Sequence, residues 1–121
     1  MTDPTPPRHG VDVAALDELA ARLGAATAAD LAAGFVEELR ARIGRVEAAL
    51  AAGDPDALAT HAHALVSSAG TYGATALSVL SGRVESACRH GDPSGLAIAA
   101  DLPGLLRDAI DRIAAWRRSV R

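Results

Sequence analysis

Residues 53–91, GDPDALATHAHALVSSAGTYGATALSVLSGRVESACRHG, decide the fold. Gly53-Asp54-Pro55 reads as a helix stop, an N-cap and a first helical residue in succession. Glycine tolerates the left-handed backbone of a helix end, aspartate accepts from free N–H groups, and proline fits where no N–H is needed. Leu58, Ala62, Leu65, Ala69 and Tyr72 then alternate at spacings of four and three. That period predicts an amphipathic helix from Pro55 to about Tyr72. Gly73 breaks it. Leu77, Leu80, Val84 and Cys88 carry the same period through a further helix, from about Ala74 to His90. So short a turn makes the two helices antiparallel neighbours.

Outward from this hairpin the pattern stays helical. Asp12 can cap a short first helix to about Leu23, with Leu16, Leu19 and Leu23 on its buried stripe and Gly24 as its stop. Thr27, with Asp30 three residues on, reads as the opening of a second helix in a near capping-box arrangement. Leu31, Phe35, Leu39, Ile43, Val46 and Leu50 extend that helix to about Ala52. Gly-Asp-Pro recurs at 91–93 with unrelated flanks, so it repeats cap chemistry rather than marking an internal repeat. The last helix is expected from about Ser94 to Arg118 through Leu105, Leu106, Ile110, Ile113 and Trp116. Pro103-Gly104 inside it should kink or split it. The expected architecture is all-α: an antiparallel up-down four-helix bundle with a short extra N-terminal helix. Residues 1–10, holding three of the six prolines, read as a mobile tail, and 11–121 as the domain.

Composition narrows the classes. With 121 residues, half of them apolar, the chain suits one globular domain with one core. One Trp, one Tyr and one Phe leave that core to Leu, Ile, Val and Ala. The net charge of −3 argues against nucleic acid as a partner. All 12 basic residues are Arg, and the one basic cluster, Arg117, Arg118 and Arg121, suits a helix C-terminus. Cys88 is alone, so no disulfide forms within the chain and nothing points to an oxidising compartment. The N-terminus lacks a signal-peptide pattern and no stretch is long and apolar enough to span a bilayer. The expected setting is cytoplasmic, with no membrane contact.

From Ala57 to Gly82 there is no Asp, Glu, Lys or Arg, a run of 26 residues covering most of two helices. A solvated helix face normally carries charge, so this one reads as a surface kept smooth for a partner. On a helical wheel His63 lies about 140° from the centre of the buried stripe and points to solvent. Ala59, Thr60, Val66, Ser67 and Gly70 surround it on that face, all small or compact. His61 lies about 60° to the other side of the stripe, near the core boundary. Folding the hairpin at Gly73 brings His63 level with residues 83–85. Glu85 can therefore accept the Nδ1 proton of His63, which fixes the tautomer and leaves Nε2 exposed as a nucleophile. Arg89, one turn on, can neutralise an anion placed on His63.

Other chemistry is poorly supported. Ser68 reads as packing and Cys88 as core. Residues two apart on a helix do not share a face, so His61, His63 and Cys88 do not make a metal site, and none is expected. Ser, His and Glu occur without a nucleophile elbow or an oxyanion hole. The chain has no Gly-rich phosphate loop and no kinase signature, so it is expected not to bind ATP.

His63-Ala64-Leu65-Val66-Ser67-Ser68-Ala69, followed by Gly73-Ala74, resembles the phosphorylation motif of histidine-containing phosphotransfer (HPt) domains. That motif runs roughly His-x-Leu-Lys-Gly-Ser-Ala, with a glycine ending the helix ten residues after the histidine. The similarity continues without gaps through Leu77 and Glu85 to Arg89, and Phe35 in the preceding long helix fits as well. It covers about residues 12–118. Val66 stands where the family usually has Lys, and Ser67 where it usually has Gly. The resemblance implies a phosphoryl carrier that is not itself an enzyme. It would take the group on His63 from a receiver-domain aspartate or an upstream kinase and pass it to another receiver. Glu85 would orient His63 and Arg89 would supply charge, with Ala59, Thr60, Val66, Ser67 and Gly70 docking the partner. It implies a monomer, a response-regulator receiver or sensor histidine kinase as partner, and no cofactor, since Mg²⁺ would belong to the receiver. The departures at Val66 and Ser67 motivate an alternative: a degenerate HPt-like module that docks a response regulator without efficient transfer.

Overall fold

The computed structural model describes residues 10–120. Among the described residues six helices follow one another: α1 (Val13–Leu23), α2 (Ala25–Ala52), α3 (Pro55–Thr71), α4 (Thr75–Arg89), α5 (Gly95–Ala99) and α6 (Leu102–Ser119). Helix α3 packs on α2 and α4, and α6 closes the ring against the same two helices. The result is an antiparallel four-helix bundle of α2, α3, α4 and α6, with the short α1 laid on α2. Its axis is filled by Leu39, Val46, Leu58, Leu65, Leu77, Val84, Leu106 and Ile113, all shut off from solvent.

The cap chemistry around α3 is as the sequence predicts. Gly53 is left-handed at φ 61° and its N–H bonds back to the end of α2. The Asp54 carboxylate accepts from the Ala57 N–H at 3.1 Å, with Pro55 in the first turn. At the other end of α3, Tyr72 stacks on Phe35 of α2, ring centroids 4.5 Å apart and planes 13° from parallel. Such a pair contributes about 0.5–1.5 kcal/mol beyond its burial and ties the end of α3 to α2. Gly73, at φ 74°, makes the reversal into α4. Its missing side chain is needed twice over, because a Cβ there would lie 2.5 Å from the Asp12 carbonyl oxygen. Asp12 N–H in turn donates to the Gly73 carbonyl at 2.7 Å, so the entry to α1 is clipped onto the α3–α4 turn.

Several boundaries differ from expectation for identifiable reasons. Helix α2 starts at Ala25, directly after the Gly24 stop, and has no side-chain cap; Thr27 lies inside it. Leu31 and Leu23 are exposed. Leu31 is about 100° from Ala32 on the wheel, and it is Ala28 and Ala32 that face the core, where their small side chains allow close helix approach. Leu23 is the last residue of α1 and projects past the contact with α2. The expected C-terminal helix is split, with the break at Ala100-Asp101 rather than at Pro103. Proline sits in the first turn of α6, where its missing N–H costs nothing. Residues 1–9 of the expected tail, and Arg121, lie outside the described residues, whereas Gly10 is held by an N–H bond to Asp108 of α6 at 2.9 Å. Among the described residues no helix is long and apolar enough to cross a membrane.

Candidate functional site

His63 lies in the middle of α3 on the side that faces α4. Its side chain is 71% exposed, yet its Nδ1 is 2.7 Å from Oε2 of Glu85, whose own side chain is only 21% exposed. The same carboxylate oxygen accepts from Nε of Arg89 at 3.0 Å, one helical turn further along α4. The hairpin register places these groups together: ten residues back from Gly73 and twelve forward reach the same level of the two antiparallel helices.

The electrostatics assign the proton. The Arg89 guanidinium, and then the bond from His63, hold the Glu85 carboxyl below the usual carboxylate range. An ionised carboxylate only accepts, so Nδ1 of His63 carries a hydrogen, and in the neutral ring the free lone pair is on Nε2. Nε2 is the nitrogen left without a protein partner among the described residues. Arg89 spends its Nε–H on Glu85, and its two Nη groups have no protein partner among the described residues.

The surroundings of His63 divide into two flanks. Toward α4, the Ser78 hydroxyl donates to the Val66 carbonyl at 2.7 Å, and Val66 is half-buried at that seam. Ala59, expected on the open face beside His63, is 2% exposed and belongs to the core. The wheel centred the buried arc on the leucine stripe alone. Helix α4 covers the flank that carries Ala59 and Val66, and α5 touches α3 as well, so the arc extends further round than the leucines show. Thr60, Ser67 and Gly70 are exposed as expected. Thr60 returns its hydroxyl to the Asp56 carbonyl, and Gly70 has room for a Cβ, whose nearest neighbour would be the Ser78 hydroxyl at 3.7 Å.

His61, two residues earlier, faces α2. Its Nδ1 is 2.9 Å from Nη1 of Arg42, which also holds Glu38 and is only 15% exposed. A guanidinium only donates, so Nδ1 of His61 is the acceptor and its hydrogen sits on Nε2. Burial first, then Arg42 and Arg45, lower the pKa of His61 and keep the ring neutral. The sequence reading did not anticipate Arg42. The signal was present: folding at Gly53 puts His61 opposite about residue 45, one turn from Arg42. Cys88 is buried, as expected of a core residue, and among the described residues no group of three or more His, Cys, Asp or Glu side chains could hold a metal ion.

A family model described as Hpt domain matches residues 30–116, from the second turn of α2 to the last turns of α6. The chain belongs to the Hpt domain family. No curated protein and no solved structure gave a match. The matched span contains all four bundle helices in large part, together with His63, Glu85 and Arg89. Membership of the family implies histidine phosphotransfer in phosphorelay signalling, through a phosphocarrier rather than an enzyme with its own ATP site. It equally implies interaction with receiver domains or kinases of such a relay.

Proposed function

We propose that this Hpt domain accepts a phosphoryl group on Nε2 of His63 from a receiver-domain aspartyl phosphate, or from an upstream kinase, and passes it to another receiver. The lone pair of Nε2 attacks phosphorus, an N–P bond forms, the acyl O–P bond breaks, and the donor leaves as a free carboxylate. Because Nδ1 keeps its hydrogen, the ring gains a positive charge as the new bond forms. The Glu85 carboxylate, 2.7 Å away, is the group that meets that charge. Arg89 keeps Glu85 ionised, and its free Nη groups are the cation it would offer to the arriving phosphoryl oxygens. Transfer in this class depends on in-line approach and charge compensation more than on covalent help from the carrier, so an exposed, oriented imidazole suffices. The divalent metal such a transfer uses is expected on the receiver.

The single observation that carries this reading is the open Nε2 of an imidazole whose Nδ1 is held by an ionised carboxylate. Incubation with a phosphorylated receiver should give a phosphoprotein that is labile in acid and stable in base. His63→Gln should abolish it; equal labelling of that variant would remove the reading. Val66 and Ser67 favour a second one, a module that docks a receiver but transfers poorly, since no lysine stands near the phosphoryl position. Receiver binding without transfer, persisting in Val66→Lys with Ser67→Gly, would select it.

A further inference from the structure

Two polar contacts pin α4 to α3. The Ser78 hydroxyl donates to the Val66 carbonyl at 2.7 Å, and Glu85 accepts from His63 at 2.7 Å. Ser81 lies between them, three residues after the first and four before the second. On the α4 wheel it stands between Leu77, a core residue, and Glu85, about 40° from each. Its side chain is fully buried, yet its hydroxyl has no partner among the described residues. On α3, Thr60, Ser68 and Thr71 each return the hydroxyl to the carbonyl four residues back, and Ser81 does not. A buried polar group without a partner is rare enough to call for a reason. Glu85 shows the complementary feature. Both of its protein donors, His63 and Arg89, meet Oε2, and Oε1 has none among the described residues.

We propose that Ser81 is a positioning residue: its hydroxyl donates to Oε1 of Glu85 and holds the carboxylate toward His63. Its effect on transfer rests on the phosphocarrier reading; the bond itself does not. Helix geometry supplies the reach. Residues four apart on one face have Cβ atoms about 6 Å apart. Helical side chains lean toward the N-terminus, as Arg89 does onto Glu85, so the Glu85 carboxyl leans over the turn that carries Ser81. A rotation about the Ser81 Cα–Cβ bond is all the hydroxyl needs to meet it. An ionised acceptor rewards that hydroxyl more than a carbonyl already engaged in the helix. With both present donors on one oxygen, the carboxylate can still turn about its Cγ–Cδ bond. A donor on the second oxygen stops that turning and keeps Oε2 aimed at Nδ1 of His63. Ser81 is neutral and lies on the inner side of Glu85, so it adds no charge to the open face of His63.

The test uses the full chain with Ser81→Ala and Ser81→Cys; the thiol nearly keeps the volume and is a weak donor. Both should raise the titration point of the Glu85 carboxyl, read by NMR of its carboxyl carbon, by about half a pH unit or more, since a hydrogen bond to the charged form is lost. Both should slow transfer from a phosphorylated receiver to His63 by about threefold, the scale of one hydrogen bond. In a Glu85→Ala background, Ser81→Ala should cause no further slowing, because Ser81 acts only through that carboxylate. A residue that only packs would slow both backgrounds alike and leave the Glu85 titration unmoved. An unshifted Glu85 titration in Ser81→Ala, or an equal loss of rate without Glu85, overturns the inference and leaves the phosphocarrier reading intact. Failure of the unaltered chain to label at His63 overturns that reading, while the Glu85 titration still decides whether Ser81 holds the carboxylate.

Discussion

His61 and His63 are two residues apart on one helix, and their rings live in opposite surroundings. His63 leans toward α4, stands in the open, and meets a carboxylate. His61 leans toward α2, is half-buried, and meets a guanidinium. The acceptor on α4 fixes the hydrogen on Nδ1 of His63 and leaves Nε2 ready to react. The donor on α2 reverses the tautomer of His61, engages its Nδ1 lone pair, and makes protonation unfavourable. A residue type therefore says little about role in this bundle. The neighbouring helix, and what it presents at that level, decides whether an imidazole is a candidate nucleophile or part of the wall.

The sharpest way to break this contrast is to exchange what each ring meets. Glu85→Ala removes the group that orients His63 and compensates its ring. It should lower the phosphotransfer rate by about tenfold, less than the roughly 10²–10⁴-fold of a general acid–base partner, because Glu85 orients the ring and moves no proton. His61→Gln should leave the rate unchanged in the same assay. Equal losses in both variants would mean that the two histidines do not differ in the way their surroundings imply.

A second test separates the two seams by stability. Gly73→Ala puts a Cβ 2.5 Å from the Asp12 carbonyl at a backbone angle that only glycine adopts readily. It should cost about 1–3 kcal/mol in denaturant unfolding. Amide exchange should rise at the α3–α4 turn and the start of α1, and stay low at the α2–α3 turn beside Gly53. Uniform loosening of both turns would show that the register of His63 is not set at Gly73.

The smallest effect concerns pH. In the folded chain His61 titrates below its ordinary 6.5, so the unfolded chain binds a proton there that the native chain resists. The native state binding fewer protons makes stability rise with pH. The contribution is complete above pH 6.5 and is lost progressively as pH falls below it toward the lower folded value. His61→Gln should flatten that part of the stability profile, and loss of the Arg42 bond should cost it about 1 kcal/mol at neutral pH. Glu85 acts in the same direction lower down, since its stabilisation is complete above 4.5 and fades as pH falls through its depressed folded value.

Much of this was legible before any coordinates. Gly53-Asp54-Pro55 and Gly73 state where α3 begins and ends in terms of backbone angles and caps, and these are local matters. Once the turn is fixed, the level of His63 against Glu85 follows from helix rise alone. What a single helix cannot state is which of its flanks the next helix covers. Ala59 reads as open because alanine gives no signal of burial, and only the helices packed on α3 make it core. Ala28 and Ala32 displaced Leu31 from the buried stripe of α2 for the same reason: close helix approach rewards small side chains over large ones. The Arg42–His61 pair was reachable by the arithmetic that found Glu85, applied at the preceding turn.

The central claim is that Nε2 of His63 is the atom that takes the phosphoryl group. Phosphorus–nitrogen correlation by NMR, on the ring-labelled protein after transfer from a phosphorylated receiver, reads that atom directly. One coupled nitrogen is expected, Nε2 of His63, with the hydrogen retained on Nδ1. Phosphorus coupled to Nδ1, or to either nitrogen of His61, would contradict it.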